Sequence, residues 1–220
     1  MDAQAEETGN QPTARTGGRR GTAKREQILA GAREVFMERG FEAASIDEIA
    51  RVSGVSKPTL YRHFPDKRHL YSAFFTRECD LYAAKLFPAE LVQAGAADAL
   101  DRIARFYLDR LSSAQAQSAF RVAVGDAQRF PELARAFYAT GPARGARHLE
   151  PLLEAFVARG ELEIDDIALA AAQFLELCKA DLFYKQVFCM IDAPDPAEID
   201  RVVAGAVTVF LRAYGPRAPR

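Results

Sequence analysis

Three helix-capping signals close together constrain this chain more than any other feature of its sequence. Ser45 begins a capping box, in which a serine hydroxyl accepts a hydrogen bond from a backbone amide and a glutamate three residues later reaches back. Ser56 and Asp66 are also preferred N-cap residues, and Pro58 suits the first turn of the helix that Ser56 begins. Gly54 separates the first two helices. The sequence therefore predicts two helices of about two turns each, joined by a glycine-containing turn and followed by a third helix.

A longer amphipathic helix precedes this motif. Its apolar residues recur with helical spacing from Lys24 onward, and Gly40 is placed to end it in the left-handed conformation. We expect Phe41 to fold back on Phe36, in the hydrophobic contact that accompanies such helix ends. The third helix of the motif is expected to run towards Leu86.

Beyond residue 90 the apolar pattern is helical throughout, without alternating strand segments. Gly141 and Pro142 separate two helices, Gly160 ends one of them, and Pro151 is a candidate position for a kink. The segment from 166 to 190 is predicted as a single helix. We predict an all-α fold, with helices in this part at about 97–111, 114–128, 131–139, 142–159, 166–190 and 196–214.

The composition favours a reducing, cytoplasmic location. A chain of 220 residues, 49% of them hydrophobic, buries an adequate core without disulfides or a structural metal. The cysteines, Cys79, Cys178 and Cys189, have no C-x-x-C spacing, which argues against a zinc ribbon or a secreted disulfide framework. The polar N-terminal region has no signal-peptide pattern, and the longest apolar run, Val202 to Leu211, is about half of a membrane span. We expect no membrane partner.

The outward face of the second short helix is suited to an anionic partner. Residues 11–75 carry 12 Lys and Arg against 7 Asp and Glu, a modest positive excess. The N-termini of the capped helices present free amides and a positive dipole end, which suit phosphate oxygens. The outward residues are hydrogen-bonding groups with no carboxylate among them: Lys57, Thr59, Tyr61, Arg62 and His63.

The segment from Ser45 to Leu70 resembles the signature of the tetracycline-repressor (TetR) family of transcriptional regulators. The resemblance covers SIDEIARVSGVSKPTLYRHFPDKRHL and the preceding helix end at residues 39–41. Pro58 stands where the family usually has Gly or Ala, and Arg68 where many members have Glu. The motif and its preceding helix make up about a fifth of the chain.

The resemblance implies that the second short helix enters the major groove of double-stranded DNA. Arg62 can pair bidentately with guanine, with Lys57 and Thr59 as further candidates for base-edge contacts. Tyr61 and His63 either contact phosphates or pack against neighbouring helices of this domain. The basic arm over residues 15–25 either reaches a minor groove or is a solvated tail. The full set of expected DNA-binding residues is Ser45, Ser56, Lys57, Pro58, Thr59, Tyr61, Arg62, His63 and Lys67.

The rest of the chain resembles the C-terminal domain of AefR-type regulators, through segments at 130–138, 159–162 and 171–174. This resemblance implies that the last two helices form a four-helix bundle with those of a second subunit. An apolar stripe over residues 199–211 agrees with such a surface, although a helix central in a monomer would show one too. The expected homodimer interface comprises Leu175, Phe183, Val203, Val207 and Phe210.

The middle helices carry many aromatic side chains, which either fill the core or line a cavity. A cavity with such walls favours a small hydrophobic or aromatic effector, with one acidic or hydrogen-bonding end, over a sugar or nucleotide. His148 is a further polar candidate. The expected ligand-binding residues are Phe106, Phe120, Arg121, Phe137, Tyr138, Gln173, Phe174 and Cys178.

Enzyme signatures are absent from the sequence, which has no H-E-x-x-H or G-x-S-x-G motif and no phosphate-loop lysine near Gly141. We expect no cofactor or metal. The predicted organisation is a disordered basic arm over 1–21, a helix-turn-helix DNA-binding domain over 22–68, a ligand-binding and dimerisation domain over 69–214, and a tail over 215–220. The predicted function is a ligand-responsive repressor that binds a palindromic operator as a homodimer. The alternative is an architectural or constitutive DNA-binding regulator without small-molecule input.

Overall fold

The computed structural model of the protein describes residues 16–86, 89–125 and 127–216. Every regular element in these ranges is helical, so the predicted all-α class is confirmed. The first four helices are α1 (Thr16–Ala43), α2 (Ile46–Val52), α3 (Lys57–His63) and α4 (Lys67–Leu86), followed by a 3-10 helix over Ala89–Gln93. The remaining helices are α5 (Ala96–Ser112), α6 (Ala114–Gly125), α7 (Pro131–Thr140), α8 (Pro142–Ala158), α9 (Ile167–Leu177), α10 (Leu182–Val187) and α11 (Pro196–Tyr214).

Helices α1 to α3 and the start of α4 form the part of the molecule that we call the head, and all of its predicted N-caps are present. At the first cap the glutamate does not complete the predicted box, because the carboxylate of Glu48 pairs with Arg39 at 2.8 Å. Each cap is a hydrogen bond from a backbone N–H to the capping side chain three residues earlier. The pairs are Glu48–Ser45 (3.1 Å), Thr59–Ser56 (3.3 Å) and His69–Asp66 (2.9 Å).

The regular part of α1 ends at Gly40, as the sequence predicted. Gly40 has φ 73°, and the rings of Phe36 and Phe41 lie stacked with centroids 6.4 Å apart. The N-terminal boundary differs from the prediction, because residues 16–21 of the expected disordered arm belong to α1. A helix that is already nucleated by its buried face extends at little cost through polar residues. Residues 1–15 lie outside the described residues.

A close approach between α1 and the turn after α2 fixes the orientation of the short helices. A Cβ atom at Gly31 would lie 2.2 Å from Oγ of Ser53 and 2.8 Å from its backbone nitrogen. The Ser53 hydroxyl donates to the carbonyl of Ile28 at 3.4 Å, and the amide of Gln27 donates to the Ser53 carbonyl at 2.6 Å. The absence of a side chain at Gly31 therefore lets the turn lie directly on α1.

Helices α5 to α11 form the body, whose core lies between α5, α8, α9 and α11. α9 packs on both α8 and α11, and α11 packs on α5. α8 continues through Pro151. The largest buried side chains of this core are Leu100, Ile103, Phe156, Phe174 and Phe210.

The predicted single helix over 166–190 is wrong, because the chain breaks into α9 and α10. Asp181, between the two helices, has φ 65°, a conformation that is uncommon outside glycine. Its carboxylate accepts hydrogen bonds from Lys185 and from Arg201 of α11, each at 2.9 Å. These two partners, Lys185 first, lower the pKa of Asp181. The apolar spacing continues across the break, so the pattern by itself did not reveal it.

Helix α4 belongs to both parts of the molecule. Leu70 and Phe74 are buried in the core of the head. Phe75, one residue further, stacks on Phe137 of α7 with centroids 4.6 Å apart. The buried carboxylate of Glu78 pairs with Arg33 of α1 at 3.0 Å. α4 therefore packs on both the head and the body.

Candidate nucleic-acid interface and internal cavity

Helix α3 presents a polar face to solvent because its apolar side is buried in the head. Leu60 is fully buried and Phe64 almost so. Tyr61 is 43% exposed, and Arg62 is exposed as well, whereas His63 is half-buried. Of the other residues expected on this helix, Lys57 and Pro58 are exposed and Thr59 is half-buried.

The ammonium group of Lys57 is held by Asp47 of α2, with Nζ and Oδ1 2.8 Å apart. The hydrogen bond and the charge of Asp47 raise the pKa of Lys57. Both groups are largely exposed, so the pair adds little stability, but it competes with any phosphate or base for the ammonium group. The sequence interpretation missed this carboxylate because it comes from a neighbouring helix rather than from α3.

Lys67 supports the head in addition to its predicted contact with DNA. Its ammonium group donates to the carbonyl oxygens of Glu42 and Ala44, at 3.1 and 3.0 Å, and lies 4.5 Å from the ring centroid of Phe41. An ammonium group has one hydrogen more than these two carbonyls accept. Lys67 can therefore hold the end of α1 and still donate to a phosphate.

The capping serines are exposed at the ends of the short helices. The hydroxyl oxygens of Ser45 and Ser56 accept the capping bonds described above, which leaves the hydroxyl hydrogen of Ser45 able to donate. Ser56 Oγ and Thr59 Oγ1 also share a hydrogen bond at 2.8 Å. These two serines therefore order the surface next to α3.

The predicted basic arm is described only in part. Arg15 and the side chains of Arg19 and Arg20 lie outside the described residues. The guanidinium of Arg25 lies over the ring of Phe64, 5.2 Å from its centroid. Arg25 therefore packs against the end of α3, a contact that the sequence analysis did not predict.

A partly open cavity of about 130 Å³ lies in the body next to α4. Its walls are mostly apolar and contain six aromatic rings. The rings pack on one another, as Phe120 does on Phe183 with centroids 5.0 Å apart in an edge-to-face arrangement. Two wall residues, Phe75 and Cys79, come from α4. The other aromatic wall residues are Phe106, Tyr107, Phe120, Phe137 and Phe183.

Three of the expected ligand-binding residues line this cavity, namely Phe106, Phe120 and Phe137. Phe174 and Cys178 do not, because both are fully buried in the core of the body. Helical spacing identified them as apolar, but it could not separate a core position from a cavity wall.

Of the expected polar residues, His148 lines the cavity, whereas Tyr138, Arg121 and Gln173 do not. Tyr138 is 63% exposed, and Arg121 and Gln173 are exposed on the surface. Tyr138 follows the wall residue Phe137 directly and therefore points about 100° away around the helix.

The polar groups of the cavity wall are mainly basic, and no described wall residue is acidic. Arg144 of α8 pairs with Asp80 of α4, and its Nε donates to Nε2 of His148 at 3.2 Å. Lys179 pairs with Glu176. The basic wall residues are Arg110, Arg144, His148 and Lys179, of which the sequence analysis named only His148.

The ionisable groups of the wall that could become negative are kept neutral by burial. Burial raises the pKa of Cys79 to about 11. Burial also raises the pKa of Tyr107 far above its ordinary value. The wall therefore carries positive but not negative charge near neutral pH.

The residues expected at a homodimer interface lie on the inner side of the last helices, which corrects the prediction. Val203 is fully buried, Phe210, Leu175 and Phe183 are almost so, and Val207 is half-buried. Phe183 lines the cavity instead. The apolar stripe identified in the sequence is the side by which α11 packs on α5 and α9 of its own chain.

The outer surface of α9 and α11 is a different set of residues. Leu169 and Val209 are 52% and 51% exposed, and small residues lie beside them. The hydroxyl of Tyr214 is hydrogen-bonded to Gln173, which joins the two helices at this surface. Exposed small residues of the surface are Ala172, Ala204 and Gly205.

Two other kinds of feature were not found in the part of the chain that the structure describes. None of its helices is long and apolar enough to cross a membrane. No group of three His, Cys, Asp or Glu side chains there is arranged to hold a metal ion.

Two family models match the chain. The model of the AefR-like transcriptional repressor C-terminal domain matches residues 98–216, more than half of the chain. The model of bacterial regulatory proteins of the tetR family matches residues 28–74.

Over part of its length, the chain is similar to curated regulators. It is 53% identical over 57 residues to the HTH-type transcriptional activator FasR of Mycolicibacterium smegmatis, a match that covers 26% of each chain. It is 37% identical over 65 residues to the HTH-type transcriptional regulator RutR of Escherichia coli, which covers 30% of this chain and 31% of RutR. The matches thus span between a quarter and a third of these relatives.

Solved structures match over most of the chain. The Flavonoid-responsive Regulator FrrA is 35% identical, with 90% of this chain and 100% of FrrA covered at a TM-score of 0.70. A TetR-family transcriptional regulator from Mesorhizobium loti has a TM-score of 0.78, with 89% of this chain and 98% of that chain covered. At 24% identity, the second match shows the fold alone.

Proposed function

Because the chain belongs to the TetR family of bacterial transcriptional regulators, we propose that it is a ligand-responsive repressor. It binds a palindromic operator as a homodimer, and a small hydrophobic or aromatic effector releases it. Members of the family bind DNA, form homodimers, are mostly repressors and are not enzymes.

The observation that carries this proposal is that α4 belongs both to the core of the head and to the wall of the cavity. Leu70 and Phe74 anchor α4 in the head, and Phe75 and Cys79 of the same helix form part of the cavity wall. An effector that prefers one position of α4 shifts the equilibrium between two placements of the heads. Only the placement that matches the spacing of the half-sites binds the operator.

The exposed face of α3 supports recognition of the major groove. Half-sites for two such heads lie about one helical turn, roughly 34–36 Å, or somewhat more apart. We expect Arg62→Ala to weaken specific binding by about 1–3 kcal/mol and to relax sequence preference. Arg102→Ala, at an exposed arginine of α5 outside the head, is the control. Equal losses on operator and random duplexes for Arg62→Ala would show that Arg62 contacts phosphate only. The operator itself is obtained by sequencing genomic fragments that the protein retains.

The outer surface of α9 and α11 is the proposed homodimer interface. Val209→Asp places a charge at an exposed apolar position, so the chain still folds while association is lost. Val124→Asp on α6 is the matched control, because that valine is 59% exposed on another surface. Sedimentation should show a dimer for the unmodified protein and for the control, and a monomer for Val209→Asp. A dimer that survives Val209→Asp would move the interface elsewhere.

The aromatic wall supports the proposed class of effector. FrrA, with which this chain shares most of its length, is a flavonoid-responsive regulator by name. An effector should raise the melting temperature of the free protein and weaken its binding to the operator. Phe106→Ala should weaken this response, and Tyr138→Ala should leave it unchanged because Tyr138 lies outside the cavity.

The size of the cavity favours a second candidate, a constitutive regulator. A volume of about 130 Å³ lies below the roughly 300 Å³ at which ligand pockets usually begin. Operator affinity that stays constant across a panel of apolar compounds would support the constitutive regulator. A response to small aromatic compounds would support the ligand-responsive repressor.

A further inference from the structure

We propose that the effector is a monocyclic aromatic carboxylate, and that its carboxylate replaces Asp80 as the partner of Arg144. This inference rests on the proposed function, since it names the class of effector and the ionic contact that the effector changes.

The size and the walls of the cavity indicate that the effector contains one aromatic ring. A volume of about 130 Å³ is close to that of a closed apolar cavity known to hold one benzene molecule, about 150 Å³. The six rings of the wall offer edge-to-face and stacked contacts to a planar guest. One aromatic ring therefore fills the space without movement of the wall.

The charges around the cavity indicate that the effector also carries an acidic group. The wall contributes basic groups from α5, from α8 and from the turn after α9, and its described residues include no carboxylate. An anion that enters a mostly apolar wall needs a paired cation to offset its lost hydration. A guanidinium is suited to this because its planar fork matches a carboxylate.

Arg144 is a cation of the wall whose carboxylate partner belongs to α4. It lies in the cavity wall, its guanidinium pairs with Asp80 of α4, and His148 accepts a hydrogen bond from its Nε. The side chain of Asp80 is 49% exposed, so it returns to water when another carboxylate takes its place. Arg144 is then paired with one carboxylate both before and after the exchange.

The exchange also explains how an effector bound in the cavity changes the position of the head. The pair between Asp80 and Arg144 ties α4 to α8, while Glu78, two residues earlier on α4, ties it to Arg33 of α1. When the effector takes Arg144, the tie to α8 is lost and the tie to α1 remains. α4 keeps its packing on α7 but loses its ionic contact with α8, so the balance between its two positions shifts.

The test compares benzoate with benzyl alcohol, a neutral compound of similar size, as ligands of the full-length dimer. Calorimetry should show that benzoate binds about tenfold more tightly than benzyl alcohol, because one charge-assisted contact is added. In Arg144→Gln this preference should vanish while binding of benzyl alcohol changes less than about twofold. Arg147→Gln, on the same helix but outside the aromatic cavity, should behave as the unmodified protein.

Asp80→Asn tests the exchange itself. Because the competing carboxylate is removed, benzoate should bind about threefold or more tightly. It should nevertheless weaken operator binding less than in the unmodified protein, because the contact that distinguished the two positions of α4 is already lost. A role of Asp80 confined to stability would not produce opposite changes in these two measurements.

The outcomes separate this inference from the proposed function. If both probes bind equally and both release the operator, the carboxylate is not recognised and the inference is overturned, while the ligand-responsive repressor stands. If benzoate affinity does not change in Asp80→Asn, the exchange is overturned. If neither probe binds and operator affinity never responds to an aromatic compound, the effector part of the proposed function fails together with the inference.

Discussion

The two short helices of the head and helix α5 of the body begin in different ways. In the head, α2 and α3 begin at serines that cap them locally, at Ser45 and Ser56. In the body, α5 begins at Gly95, which has no capping side chain. The carboxylate of Glu161, distant along the chain, accepts the hydrogen bond of the first backbone N–H instead, at 2.6 Å from the nitrogen of Ala96.

This difference shows why the starts of α2 and α3 depend on the local sequence and the start of α5 does not. A local cap acts within one turn and needs no other helix in place, and Asp166 and Asp195 cap α9 and α11 of the body in the same way. The remote cap of α5 exists only after α5 and the end of α8 have packed together. We therefore expect substitutions at a local cap to act on one helix, and substitutions at the remote cap and in the core to act through packing.

The largest effect is expected in the core of the body. Phe210 is 1% exposed and contacts Phe174 edge-to-face, so Phe210→Ala removes a large buried side chain. We expect a loss of about 3–5 kcal/mol in the free energy of unfolding, measured by urea denaturation at fixed protein concentration. Val124→Ala on α6 is the control, because that valine is 59% exposed and its truncation should change stability by no more than about 0.5 kcal/mol. A loss below about 1 kcal/mol for Phe210→Ala would contradict the packing argument.

The next effect concerns the close contact in the head. Gly31→Ala should cost about 1–3 kcal/mol of unfolding free energy, because its Cβ meets Ser53. Gly21→Ala in the same helix has no neighbour within 4 Å and should raise stability by up to about 1 kcal/mol. If both substitutions stabilise the protein, α1 does not lie as close to the turn as the structure indicates.

A smaller effect tests local capping directly. Ser56→Ala removes the side chain that accepts from Thr59 and should cost about 0.5–2 kcal/mol, as well as weakening operator binding. Ser56→Asn keeps a preferred cap and should restore the stability. Thermal denaturation of the two variants beside the unmodified protein distinguishes them. Equal melting temperatures for Ser56→Ala and Ser56→Asn would show that the cap contributes nothing measurable.

The smallest effect concerns the remote cap. The hydrogen bond from Ala96, followed by that from Arg159, lowers the pKa of Glu161 below its ordinary value of 4.5. A lowered pKa in the folded state means that this stabilisation is present above pH 4.5 and is lost as the pH falls through the lower, folded value. Glu161→Gln should therefore flatten the decline of stability in acid. An unchanged acid profile for Glu161→Gln would leave α5 without a functional cap.

The sequence alone predicted the all-α class, the caps at Ser45, Ser56 and Asp66, and the end of α1 at Gly40. These features depend on backbone groups within one helical turn of the residue that satisfies them. For the same reason it identified the outward residues of α3, since Leu60 and Phe64 must face inward. It did not show that Asp47 would take the ammonium group of Lys57, because that contact depends on the angle between two helices.

Tertiary structure decided the features that depend on contacts between distant helices. The turn at Asp181 depends on Arg201 of another helix, and the start of α5 depends on Glu161. The spacing of apolar residues marks which side chains leave water, but it does not say whether a side chain meets its own core, a cavity or a second subunit. Phe137, Phe174 and Phe183 all leave water in the same way, and only the packing of the helices around them assigns two to the cavity wall and one to the core. Burial is a property of the single residue, whereas a cavity is a property of the space that several helices leave between them.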